Sequence, residues 1–210
     1  VLWPHEFKVN YAREKIREWY EYYDGKVCVS FSGGLDSTVL LHMTRKIYPE
    51  VKAIFVNTGL EYPEVLEFVR TKENILWIRP KKTFFNIVKE YGYPVVSKQQ
   101  AEYIGQVQRN IENNYCSQIM RLRLTGRTKE NKIQQQFMIS EKWQYLIDAP
   151  FKVSATCCKF MKKQPMKKIQ KELGLYPIIG TMAIESKIRS MSYSFLGCNA
   201  YNVDTPRSAP

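Results

Sequence analysis

A short apolar strand that runs straight into adjacent glycines and then into a helix leaves a chain few folds to choose from. Residues 26–43 read KVCVSFSGGLDSTVLLHM. Lys26–Phe31 has the size and composition of a buried strand, and Thr38–Ile47, stopped by Pro49, reads as a helix. Between them lies Ser32-Gly33-Gly34-Leu35-Asp36-Ser37. Adjacent glycines allow positive φ and close approach of a ligand to the backbone. The N–H groups that open the following helix, with its dipole behind them, make the turn an anion site best suited to phosphate. Ser32, Ser37 and Thr38 add hydroxyls. No Lys follows the second glycine, so this is not a Walker A loop, and adjacent glycines do not fit a dinucleotide fingerprint. The plain alternative is a tight strand-to-helix turn capped by Asp36.

The same rhythm continues. Residues 11–23 carry Ile16, Trp19, Tyr20 and Tyr23 at helical spacing, ended by Asp24-Gly25. Strands are expected at 51–56, 75–78 and 178–181, and helices at 61–72 and 84–91. Strand alternating with helix predicts an α/β fold with a mainly parallel open sheet and helices on both faces. Residues 97–147 are polar and rich in Gln, Asn and Arg, and read as a helical insertion in a single 210-residue domain. A cysteine-containing half follows at about 150–210. The end, DTPRSAP, reads as loop without a closing element, as if the natural chain ran on.

Composition narrows the class. With 44% hydrophobic and 25% charged residues, the chain can build a core, which excludes wholesale disorder. No apolar run reaches the ~18 residues of a membrane span. The opening VLWPHEFKVN has no secretory pattern. Five cysteines, two of them adjacent, make a poor disulfide framework, so a cytoplasmic setting is expected. The 32 basic against 20 acidic residues, net +12, suit phosphate-bearing partners, nucleotide or nucleic acid.

Three segments resemble one family. SGGLDS after an apolar strand resembles the PP-loop of the ATP pyrophosphatase (adenine nucleotide α-hydrolase) superfamily. VNTGLEYPEV (56–65) resembles an element after the second strand of its phosphoadenosine-phosphosulfate (PAPS) reductase-like members, with Asn57 where Asp is usual. GTMAIESKIR (180–189) is similar to their G-x-x-x-x-E-S-x-x-R segment. The resemblance implies a nucleotide across the strand ends. Ser32, Gly33, Gly34, Asp36 and Ser37 would hold its phosphates, and Asp36 would reach a Mg²⁺ ion. Asn57 would border adenine and ribose, Thr58, Gly59 and Glu61 would line the substrate side, and Arg189 would meet an anionic group. The bland reading of Glu185 and Arg189 is an i, i+4 surface pair.

CCKFMKKQP (157–165) is the second informative stretch. Lys159, Lys162 and Lys163 beside two thiols would favour thiolate, the form that attacks or binds metal. The pattern resembles the first half of the cluster motif of adenylylsulfate (APS) reductases, which implies an iron–sulfur site held by Cys157, Cys158 and, further on, Cys198. A fourth thiolate is missing, unless Cys116 or a later residue supplies it. The alternative is that all three are structural. Cys28, in the first strand, reads as core, and Cys116 as structural. The lysine run 159–171 reads as a solvated face, or as a focus for an anionic substrate.

The resemblance implies an enzyme, with two reactions open. One cleaves ATP at the α–β bond and adenylylates an anionic or sulfur-bearing acceptor in sulfur-transfer chemistry, with Asp36, Arg189, Cys157 and Cys158 as catalytic candidates. The other reduces PAPS or APS to sulfite at a thiol. The intact SGGLDS favours the first. A third reading is a nucleotide- or nucleic-acid-binding module without turnover.

Overall fold

The computed structural model describes residues 3–210, the side chains of residues 187 and 188 excepted. Contacts divide the chain into two compact units, one of residues 1–80 with 164–210, the other of residues 81–163. Among the described residues no helix is long and apolar enough to cross a membrane.

The first unit is an α/β sheet domain. Helix α1 (His5–Tyr22) leads into β1 (Val27–Phe31), α2 (Leu35–Ile47), β2 (Lys52–Val56), α3 (Pro63–Arg70) and β3 (Ile75–Ile78). The chain returns to this unit with α7 (Gln164–Leu173), β4 (Tyr176–Ile179), α8 (Lys187–Leu196), β5 (Asn199–Ala200) and β6 (Arg207–Ser208). The six strands run in the order β3-β2-β1-β4-β6-β5. All pairings are parallel except β5 with β6.

Alternation along the strands decides which helices cover which face. Val27, Val29 and Phe31 share a core with Ile16 and Trp19 of α1, Leu40 and Leu41 of α2 and Val69 of α3. Cys28 points the other way, and its sulfur accepts a long hydrogen bond from Gln170 Nε2 of α7 at 3.8 Å. Helices therefore cover both faces, as expected from the sequence. Because β2 and β3 lie on one side of β1 and β4 on the other, the winding reverses between β1 and β4. The C-terminal ends of strands at such a reversal form the usual ligand crevice of open α/β sheets.

Most expected strands lie within two residues of their observed places, and β3 coincides. The C-terminus differs. DTPRSAP is not all loop: Arg207–Ser208 forms β6, pairing β4 through Ile178 and Ser208. Ser208 is fully buried and its hydroxyl donates to Asn199 Oδ1 at 2.6 Å. A two-residue strand has no alternation to announce it.

The second unit holds α4 (Phe84–Tyr91), α5 (Lys98–Glu112), α6 (Gln118–Thr125) and 3₁₀ segments. Its core is Ala101, Ile104, Val107, Ile139, Leu146 and Val153. Gln108 ties it together: the amide nitrogen donates to the Leu146 and Phe151 carbonyls, and the amide oxygen accepts from Val153 N–H at 2.8 Å. The unit contains the expected insertion at 97–147 and is wider.

Ile178 sits fully buried in β4, between β1 and β6. Ile178→Ala should destabilise the protein by about 2–5 kcal/mol, read from urea unfolding; a loss below about 1 kcal/mol would place the core elsewhere.

Candidate functional site: the glycine turn at the strand ends

β1 ends at Phe31, and Ser32 to Gly34 turn the chain into α2. Gly33 has φ +76°, and a Cβ there would lie 2.8 Å from Val65 Cγ1 and 3.0 Å from Val69 Cγ2 of α3. Both the backbone conformation and the packing require glycine. Gly34 is different. Its φ is −80°, and a Cβ would meet only Ser32 Oγ, at 3.4 Å. The fold itself does not demand glycine at this position, which leaves its open side to a ligand.

The hydroxyls hold the turn in shape. Ser37, nearly buried, donates to the Gly34 carbonyl at 3.0 Å and accepts from Ser32 N–H at 3.2 Å. Ser32 Oγ lies 3.0 Å from Ser37 Oγ and accepts from Gly34 N–H at 3.3 Å. Thr38 Oγ1 donates to the Gly34 carbonyl at 2.8 Å. Ser32 and Ser37 thus spend hydrogen bonds on the loop itself. No side chain caps the N-terminus of α2, so its first amides carry the positive end of the helix dipole uncapped. Asp36, in that first turn, is exposed and is not the cap.

The ends of the neighbouring strands build the walls. Beyond β4, a Cβ on Gly180 would lie 3.1 Å from the Asp36 carbonyl and from Ser37 N, so the two loops touch backbone to backbone. Beyond β2, Asn57 Oδ1 accepts from Gly59 N–H at 3.0 Å, and Gly59 has φ +81°. Glu61 folds back on this loop. Its carboxylate accepts from Thr58 N–H at 2.9 Å, Thr58 Oγ1 at 2.7 Å and Gly59 N–H at 3.1 Å. Both oxygens are engaged in positioning the loop. Glu185 pairs with Arg189 four residues on, and Ser186 caps α8 by accepting from Arg189 N–H at 3.2 Å. The i, i+4 pair is present, and half-exposed pairs of this kind contribute about 0–1 kcal/mol.

The structure therefore brings the residues of all three motifs to the C-terminal ends of β2, β1 and β4, in one unit. Cys198 belongs to that unit too, buried with its thiol 3.9 Å from Tyr11 Oη. Cys157 and Cys158 belong to the other unit. Burial, and then the neighbouring Cys158, push the Cys157 thiol up from its ordinary value. This runs against the expected lysine-favoured thiolate at Cys157: lost hydration, which penalises the charged form, is the largest cause of the shift. Among the described residues no three His, Cys, Asp or Glu side chains group to hold a metal ion. Cys28 is core as expected, its thiol pushed up to about 12 by burial. Cys116 is exposed and does not pack. Gly180, the glycine that opens GTMAIESKIR, is not among the expected site residues, yet it packs on the start of α2.

Comparison with known proteins shows a family likeness over part of the chain. Residues 26–124 match the phosphoadenosine phosphosulfate reductase domain. This segment is similar to the PAPS reductase-like family. The match takes in SGGLDS and VNTGLEYPEV, while GTMAIESKIR and the cysteine pair lie beyond it. An uncharacterised protein, MJ0066, of Methanocaldococcus jannaschii is 34% identical over 53% of this chain and 25% of its own length. An adenosine 5'-phosphosulfate reductase of Bacillus cereus is 29% identical over 37% of this chain and 36% of its own. The chain thus spans about a quarter to a third of these curated relatives. A solved PAPS reductase from Candida auris covers 86% of the chain and 70% of its own at 14% identity and a TM-score of 0.40, too loose a likeness to argue from.

Two outcomes follow, one for the glycine turn and one for Cys157. Gly33→Ala should cost more than about 1 kcal/mol, whereas Gly34→Ala should leave stability within about 1 kcal/mol; equal thermal shifts would contradict the distinction. Cys157 should react with iodoacetamide more slowly than a free thiol at pH 7 and speed up as pH rises towards its raised pKa. Rapid alkylation at pH 6, located by mass spectrometry, would contradict it.

Proposed function

We propose that the chain binds an adenine nucleotide at the glycine turn and cleaves ATP between its α and β phosphates, adenylylating an acceptor in sulfur-transfer chemistry. The observation that carries this reading is the uncapped start of α2 beside a Gly34 that the fold leaves free. An uncapped helix start with its dipole suits the phosphates of a pyrophosphate leaving group. In the reaction an acceptor oxygen bonds to the α phosphorus, the α–β bridging bond breaks towards pyrophosphate, and the acceptor's proton passes to solvent. The amides of residues 35–37 take up the charge that develops on the departing phosphates. Asn57, Thr58 and Gly59 border the nucleotide, on a loop that Glu61 keeps in place. Arg189, its charge shared with Glu185, meets an anionic group of nucleotide or acceptor.

Mg²⁺ fits this site, since the ion is commonly held by one or two carboxylates plus substrate phosphates. Asp36 is the carboxylate in the first turn of α2. Bound there, the ion would neutralise phosphate charge. The reading uses no iron–sulfur cluster and gives Cys157 and Cys158 no step.

Reductive cleavage of PAPS or APS is the second reading, favoured by the name of the Bacillus cereus relative. It asks for a ready thiolate, and burial raises the Cys157 pKa. A nucleic-acid-binding module, motivated by the net charge of +12, is the third.

Calorimetry with ATP, PAPS and a short DNA duplex separates the three. ATP should bind, more weakly by about tenfold or more when EDTA removes Mg²⁺ or when Asp36 is replaced by Ala. Gly34→Val should abolish binding without unfolding the protein. Pyrophosphate should appear on turnover. Binding of PAPS but not ATP, with sulfite released in the presence of a dithiol, would establish the reductase reading instead.

A further inference from the structure

A cavity of about 680 Å³ opens in the sheet unit, walled by α1, α2, α8 and the segments that flank β4 and β6. This is the size of a small-molecule site. Its apolar lining includes Val9 and Ala12 of α1 and Val39 and Met43 of α2. Its basic lining comprises His5, Lys8, Arg189 and Arg207, and among the described residues no Asp or Glu lines it. Arg207 is held in place by donating to Ser192 Oγ at 2.7 Å. Tyr11, Tyr193 and Cys198 also line it, with the Cys198 thiol 3.9 Å from Tyr11 Oη. Burial raises both tyrosine pKa values, so the phenols stay protonated and can donate. A lining that combines lysine and arginine cations, neutral donors and aliphatic carbon selects an anion with an apolar body.

We propose that this cavity is a second ligand site, for a small organic acid whose hydrocarbon or aromatic part lies on α1 and α2 and whose acidic group meets Lys8, Arg189 and Arg207. Its place is informative. Gly180 backs onto Asp36 and Ser37, and the next two residues, Thr181 and Met182, line the cavity. One loop therefore borders both the glycine turn and the cavity, and the two can be filled together. The role that follows, an acceptor held beside the nucleotide, rests on the reading of the glycine turn given above; the binding does not.

The probe is 1-anilinonaphthalene-8-sulfonate, an aromatic body with one fixed negative charge, followed by fluorescence on the intact folded chain. One saturable site is expected, with the uncharged N-phenyl-1-naphthylamine bound more weakly. Lys8 is exposed on α1, so Lys8→Glu leaves the core intact. It should weaken binding by about tenfold. Ala12→Leu should weaken it by filling the apolar end, and circular dichroism checks that both variants fold. Saturating Mg-ATP should leave the probe bound. Insensitivity to both variants, absence of saturation, or displacement of the probe by ATP would overturn the proposal. Should the probe behave as expected while ATP fails to bind, the second site stands and the nucleotide reading falls.

Discussion

At Gly33 the chain does something no side chain would allow. The backbone turns at φ +76° while its Cα faces Val65 and Val69 so closely that a methyl group would overlap them. That one contact lets β1 pass into α2 while α3 packs alongside, and the rest of the sheet unit inherits its arrangement. α2 starts where the turn releases it, with no side chain capping its first amides. Gly180 closes the other side by touching the Asp36 and Ser37 backbone. Gly33 against the Val65 and Val69 side chains, and Gly180 against the α2 backbone, thus fix the place of the helix start. Uncapped helix amides recognise phosphate by dipoles and leave the choice of what the phosphate is attached to for the surrounding loops.

Those loops spend their polar groups on themselves to a degree that residue type alone does not disclose. Glu61 looks like a substrate-side carboxylate in VNTGLEYPEV, yet both its oxygens hold Thr58 and Gly59. Ser32 and Ser37 look like phosphate donors, yet they lock each other and Gly34. Rigidity of this kind is useful at a binding site, because a preorganised loop loses less conformational freedom when the ligand arrives. The lysine run shows a similar split. Lys168 pairs with Glu172 and Lys167 donates to Thr205 Oγ1 at 2.9 Å, so part of its charge is engaged within the fold.

The sheet was legible because a buried parallel strand is written as a short apolar run between turns, and β1, β2 and β3 are such runs. The β5–β6 hairpin was not legible, since its two-residue strands are specified by pairing with β4 and by the buried Ser208 hydroxyl. α1 begins at His5, six residues before the periodic stretch starting at Tyr11, and its first turn is exposed. At the site, the glycines and their flanks announced the turn, and three motifs announced the strand ends. At Cys157 the sequence shows the neighbouring lysines but not the water that burial removes, and that loss raises its pKa.

The central claim is that the amides opening α2 bind phosphate. Amide chemical-shift mapping by ¹⁵N NMR during titration with ATP and with inorganic pyrophosphate tests it at the atoms concerned. The expected result is saturable shifts centred on residues 33–37 and Gly180, produced by both ligands, with adenine-dependent shifts added at 57–59 by ATP alone. Unmoved amides at 33–37, with shifts confined to the lysine run at 159–171, would contradict it and make the glycine turn a structural corner.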